Sequence, residues 1–178
     1  MSMFSRLIGL LSICVSLPVL GEAPGLGQPV SAEEIAVVDL VVLPNGDGLP
    51  AGSGSAVEGQ ALYDRHCFAC HGGGGENGIN DRLAGGHGSI STGAPVKTLG
   101  SYWPFATTVF DYIRRAMPYT QPGALTADEV YALTAYMLYI NDIVGEQTMM
   151  DASTLPGVKM PNADNFVWAQ PLQHLQQE

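Results

Sequence analysis

Four stretches of this 178-residue chain carry apolar residues at helical spacing, and three of them open on a hydroxyl residue followed three positions later by glutamate. Ser31 with Glu34 opens a short helical stretch. Ser55 with Glu58 opens VEGQALYDRHCFAC, where Val57, Ala61 and either Leu62 or His66 recur every three or four residues. Thr126 with Glu129 opens a helix predicted over about 127–141, with Val130, Leu133, Thr134, Met137 and Tyr136 or Ile140 on its apolar face. In each pair the hydroxyl accepts from the glutamate's N–H and the carboxylate returns the bond, which satisfies two amides that a helix start leaves free. The fourth stretch, YWPFATTVFDYIRRAMP, has no such box. Its stripe is Phe105, Val109, Tyr112, Ile113 and Ala116; Pro104 fits a first turn and Pro118 forbids continuation.

What lies between and outside these stretches divides the chain. Residues 22–54 read as an N-terminal arm, with an apolar DLVVLP and a turn-rich NGDGLPAGSGS whose one core residue is Leu49. Residues 55–143 form the main domain, and 144–178 a second arm. Eight glycines between Gly72 and Gly88 leave that loop few side chains to pack, so something besides a side-chain core must fill half of the domain. At the start of the chain Arg6 precedes an apolar run from Leu7 to Leu20 and then small residues, the layout of a secretory signal peptide over residues 1–21 cut near Gly21. That run is shorter than the ~20 residues of a spanning helix, so no membrane span is expected in the exported chain, which is placed in the periplasm.

Composition narrows this further. Hydrophobic residues make up 46% of the chain, which excludes wholesale disorder. With 22 glycines and 12 prolines, long helical bundles are excluded and the fold class is mainly α with short elements. Seven Lys and Arg stand against 17 Asp and Glu, and the one basic pair is Arg114–Arg115, so nucleic-acid binding through phosphates has nothing to build on.

Of three cysteines, Cys14 falls in the export signal, and Cys67 and Cys70 are left in Cys67-Phe68-Ala69-Cys70-His71. This Cys-x-x-Cys-His is the attachment signature of c-type haem: one helical turn puts two sulfurs on one face, each to form a thioether with a vinyl group, and the next residue aims its imidazole at iron. One covalent haem c would also supply the apolar volume that the glycine loop lacks. A thioredoxin-like thiol pair needs an alternating βα pattern, which is absent, and a zinc site needs a second Cys/His pair at short spacing. His71 fills one axial position. For the other, Met117 at the end of a proline-terminated helix is the first candidate, since a thioether favours ferrous iron and suits an electron carrier. Met160, in a second Met-Pro, is the rival, and His87 and His66 remain open. Met137 reads as core, Met149 and Met150 as loop. Arg114 and Arg115 are candidates to pair with haem propionates or a partner's carboxylates, or else to complement the helix dipole; Trp103 and Tyr102 are candidates to line the haem.

With Cys-x-x-Cys-His ending a first helix, Met117-Pro118 some 46 residues on and a terminal helix after it, the chain resembles the class I c-type cytochromes over residues 55–143. That resemblance implies that the first and last helices cross, with Gly59 and Tyr63 meeting Tyr131, Tyr136 or Tyr139. Longer strings, GLGQPVSAEEIAVVDLVVLPNGDGLPAGSGSAVEGQALY, SYWPFATTVFDYIRRAMPYTQPGALTADEVYALTAYMLYINDIV and LPGVKMPNADNFV, resemble the cytochrome subunits of bacterial sulfite and sulfane dehydrogenases. The single haem motif favours the sulfite type. The resemblance implies a non-catalytic electron-transfer subunit, in a heterodimer with a molybdopterin-containing dehydrogenase and handing electrons to a downstream cytochrome. The alternative is a freely diffusing cytochrome.

Overall fold

The computed structural model describes residues 25–167, so the expected signal peptide over residues 1–21 and Trp168 lie outside the described residues. In chain order the elements are α1 (Ala32–Val38), β1 (Ser53–Ser55), α2 (Ala56–His66), α3 (Phe68–His71), α4 (Ala106–Ala116), α5 (Ala127–Tyr139) and β2 (Met149–Asp151), with single 3₁₀ turns in the loops. All three capping boxes form. Ser31, Ser55 and Thr126 each accept from the N–H three residues on, and Glu34, Glu58 and Glu129 each accept from the backbone N–H of the cap residue.

Helices α2 and α5 cross at closest approach through glycine. A Cβ on Gly59 would stand 2.0 Å from the Ala132 carbonyl oxygen, and one on Gly54 in β1 would stand 2.5 Å from the Ala132 amide, so the backbone of α5 is gripped between two glycines. Beside the crossing Tyr63 meets Tyr136, with ring centroids 5.2 Å apart. Tyr136 is thus the expected aromatic partner; Tyr131 instead packs on Phe110 at 4.5 Å and donates its hydroxyl to the Pro50 carbonyl.

Several predicted faces differ. In α2 the buried residues are Ala56, Gly59 and Tyr63, while Val57 is exposed, because the close crossing selects small residues over large apolar ones. The stretch also does not run unbroken into the cysteines: Cys67, at φ −120° and ψ −35°, separates α2 from α3. In α4 the core side is Ala106, Thr107, Val109, Phe110 and Asp111, Tyr112 is exposed, and Pro104 precedes the cap residue Phe105 rather than sitting in the first turn. Helix α5 is not amphipathic. Every residue from Val130 to Leu138 is buried, because α2 and β1, α4, and β2 surround it.

The strands were not expected. Gly54 pairs with Met150 in a two-stranded antiparallel ladder that ties the end of the N-terminal arm to the C-terminal one. The N-terminal arm is further laced to the domain by Ser53 N–H to Asp128 and by Val42, which is buried. Leu49 packs against the core as expected.

The capping boxes carry a pH signature. The Ser55 N–H, and next the Ser55 hydroxyl, hold Glu58 below the usual carboxylate range; at Glu129 the Thr126 N–H is the largest influence, and with the hydroxyl it outweighs the upward push of burial. A carboxylate lowered by folding contributes stability above its unfolded pKa and loses it as pH falls through the folded value. Helical circular dichroism is therefore expected to decline as pH drops below about 4.5, and the Glu58→Gln/Glu129→Gln protein to show a shallower acid dependence.

Candidate functional site

Cys67 closes α2, its N–H bonded to the Tyr63 carbonyl, and its own carbonyl accepts from both the Cys70 and His71 N–H at 3.1 and 2.9 Å. The two sulfur-bearing residues are thus one turn apart and both half-buried. His71 follows at the end of α3. Its Nδ1 lies 2.8 Å from the Asp81 carbonyl oxygen. A carbonyl only accepts, so Nδ1 carries the proton and Nε2 keeps its lone pair for a metal.

The glycine loop makes this arrangement possible by close approach. Gly78 passes so near α3 that a Cβ there would be 2.2 Å from the Cys70 carbonyl oxygen, and Gly72, at φ +74°, would meet the Glu76 carbonyl at 2.0 Å. The loop is pinned by Asn80 N–H to the Cys70 carbonyl at 2.9 Å and by the Tyr63 hydroxyl to the Gly72 carbonyl at 2.7 Å. Burial, reinforced by Cys67, pushes Tyr63 up to about 12, so this donor never ionises in the working range. The glycines therefore do more than leave room: they let a loop wrap the Cys-x-x-Cys-His helix and place the Asp81 carbonyl on His71.

Asn141 anchors that loop from the far side, and nothing in the sequence marked it. Almost completely buried, it accepts from Gly85 N–H at 3.0 Å and donates to the Leu83 and Met137 carbonyls, while its own carbonyl accepts from His87 Nε2 at 3.0 Å. Its signal would have been an amide at the end of α5, a position that reads equally well as a solvent-exposed helix terminus. Asn141→Leu would leave the Gly85 N–H without its acceptor and take one of two donors from the Leu83 carbonyl, and an expected loss of about 3 kcal/mol should appear in denaturant unfolding.

The donor set fits covalent haem and does not fit the rivals. Burial, then the neighbouring Cys70, pushes the Cys67 thiol up to about 11, the opposite of what a reactive thiol-exchange pair requires. Among the described residues no cluster of three or more His, Cys, Asp or Glu is placed to hold a metal ion. His87 spends its Nε2 on a carbonyl, and His66 ends α2, half-buried.

Of the methionines, Met117 caps α4 with extended backbone (φ −120°, ψ 148°), its N–H held by the Ile113 carbonyl, and it is half-buried. Met160 is 1% exposed and enclosed in the hydrophobic core, as are Met137 and Met150. Met149 sits on β2, half exposed. Trp103 is half-buried and meets Tyr112 edge-on at 5.8 Å. Tyr102 faces the C-terminal arm, where Phe166 packs edge-on at 5.5 Å and Asn162 bonds its carbonyl.

Arg114 and Arg115 point to protein partners. Arg114 donates to the Leu40 and Gly48 carbonyls at 3.4 Å, and Arg115 forms a two-bonded pair with Asp111, which also accepts the Val42 N–H at 2.9 Å. Burial alone raises the Asp111 carboxyl, but the Arg115 and Val42 bonds and both guanidinium charges outweigh it and hold the group below its ordinary range. Arg114 holds the N-terminal arm directly and Arg115 through Asp111, a role that neither the propionate nor the dipole expectation contained.

Comparison with known proteins matches residues 54–137 to the family model described as cytochrome c oxidase, cbb3-type, subunit III. No curated protein matches the chain. Among solved structures, the sulfane dehydrogenase SoxCD from Paracoccus pantotrophus is similar at 40% sequence identity and a TM-score of 0.76, over 86% of this chain and 75% of that one. A match of that extent reaches well beyond residues 54–137 and takes in arm sequence.

Proposed function

Because the chain belongs to the class I c-type cytochromes and holds haem c covalently, we propose that it is the single-electron subunit of a molybdenum-containing sulfite dehydrogenase in the periplasm. Haem c supplies a one-electron Fe(III)/Fe(II) couple. Oxidation of sulfite with one water to sulfate releases two electrons and two protons, so the electrons leave the dehydrogenase one at a time. This chain's part is to hold the couple in fixed ligation. Cys67 and Cys70 would anchor the haem, and His71, in the tautomer set by the Asp81 carbonyl, and Met117 would be its iron ligands. The burial of Met160 in the hydrophobic core, at 1% exposure, supports Met117 over it as the distal ligand.

The observation that carries the partner reading is the reach of the structural match, over 86% of this chain, into the arms. Their structure agrees with it. Helix α1 buries none of its residues, and Leu26, Val37 and Val38 are at least three-quarters exposed, as is Val167 at the other end. Large apolar residues left exposed on both arms support an interaction surface there. Ordering such arms costs roughly 1–2 kcal/mol per residue of backbone entropy, which a partner surface offsets. The one Cys-x-x-Cys-His in this sequence supports a sulfite over a sulfane substrate within that reading. Among the described residues no helix is long and apolar enough to cross a membrane.

The test is co-purification with the molybdenum subunit at low and at high salt. A complex held by apolar arms survives both, whereas an encounter steered by the acidic surface weakens sharply with ionic strength. Elution as a lone cytochrome under both conditions would favour the freely diffusing alternative.

A further inference from the structure

We infer that Asp111, Arg114 and Arg115 form a latch through which the N-terminal arm fixes the position of Met117, making them positioning residues for the distal iron bond. The inference rests on the reading of Met117 as that ligand. Met117 hangs from the last turn of α4 by one backbone bond, to the Ile113 carbonyl, and is followed by proline, so nothing helical continues beyond it. The final turn of a helix has unpaired carbonyls and frays unless its side chains are held. Here Arg114, three positions before Met117, is held by the arm, and Arg115, two positions before it, is held by Asp111, which the arm also bonds.

The grip is made on a rigid loop. Between Leu40 and Leu49 the backbone is closed by Leu43 N–H to the Asp47 carbonyl at 2.9 Å, Gly46 N–H to the Leu43 carbonyl at 3.0 Å and Leu49 N–H to the Gly46 carbonyl at 3.1 Å. Gly48, at φ +86°, lies so close to Val41 that a Cβ would meet its carbonyl oxygen at 2.1 Å. Arg114 reaches both flanks of this loop, at Leu40 and Gly48. The Asp111 Oδ1 accepts from Val42 in its middle, while Arg115 locks the carboxylate in a bidentate pair. Thr107, one turn further back, donates to the Pro44 carbonyl at 3.3 Å. Among the described residues all four hydrogen bonds between this loop and the haem domain thus land on α4, and three of them, at Asp111 and twice at Arg114, reach its last two turns. Loss of the latch frees the turn that carries the methionine, and the iron bond becomes easier to exchange.

The experiment uses the haem-loaded full-length protein and measures how fast added imidazole displaces the distal ligand of ferric haem, together with the thioether-to-iron charge-transfer band and the melting temperature. In Asp111→Ala and Arg114→Ala, losing a charge-assisted bond should speed imidazole binding about tenfold and weaken the band. Arg114→Lys, which keeps a donor for the carbonyls, should bind imidazole at close to the wild-type rate. Met150→Ala, in β2 away from α4, should lower the melting temperature without changing the imidazole rate. Wild-type imidazole kinetics in Asp111→Ala and Arg114→Ala, alongside a band that Met117→Ala abolishes, would overturn the latch and leave the ligand assignment standing. A band that survives Met117→Ala would overturn the ligand assignment itself.

Discussion

Met117→Ala is expected to abolish the thioether-to-iron charge-transfer band of the ferric protein and to lower its reduction potential, while Met160→Ala leaves the band intact and lowers stability. The two methionines share a Met-Pro sequence but not an environment. Met117 ends a helix in extended backbone and is half-buried, with a side chain that no core packing holds. Met160 is sealed among core residues at 1% exposure, so its removal creates a cavity and should cost about 2–5 kcal/mol. Soft thioether ligation favours ferrous iron, so replacing it with water or a harder ligand shifts the couple downward. Absorption spectra and potentiometry of both variants, with denaturant unfolding beside them, separate ligand from core. The reverse pattern would transfer the distal position to Met160.

The second large effect is expected at the helix crossing. Gly59→Ala adds one methyl group 2.0 Å from the Ala132 carbonyl oxygen and 2.6 Å from its carbon, both backbone atoms of a helix buried on all sides. Neither helix can yield easily. Cys67 and the motif follow directly from α2, and α5 is also pinned at Ala132 by Gly54. Alanine would raise helix propensity by about 1 kcal/mol, but overpacking costs of about 1–3 kcal/mol or more at a site this tight outweigh that. A net loss of roughly 2 kcal/mol, with a lower yield of haem-loaded protein, should appear in denaturant unfolding and in the haem-to-protein absorbance ratio. Gly59→Val should fail to accumulate holoprotein.

What the sequence made legible was local. Capping boxes are bonds between residues three apart, so Ser31, Ser55 and Thr126 announced their helices before any tertiary contact was known. The haem motif is local too, and its five residues carry their own geometry. What stayed hidden depended on distant partners. The buried face of α2 was misjudged because the crossing wanted Gly59 and Ala56 where hydrophobic periodicity sought Val57. Helix α5 was read as one-sided because its second and third coverings, β1 and β2, come from segments about a hundred residues apart whose pairing leaves no pattern in three-residue strands. Arg114 and Arg115 stand out in the sequence by charge, yet the partners of Arg114, Leu40 and Gly48, and the Val42 that shares Asp111 with Arg115 lie some 70 residues away in the arm. Asn141 was missed for the same reason: its value lies in Gly85 and Leu83, which only the folded loop brings to it.

The proposal that these parts serve a sulfur-oxidising dehydrogenase is tested most directly by mixing the oxidised haem-loaded protein with its molybdenum subunit and sulfite, and following haem reduction by stopped-flow absorbance. The account predicts reduction that requires both the subunit and sulfite, with two equivalents of cytochrome reduced per sulfite consumed. Haem that stays oxidised in the complete mixture, yet is reduced at once by dithionite, would contradict it.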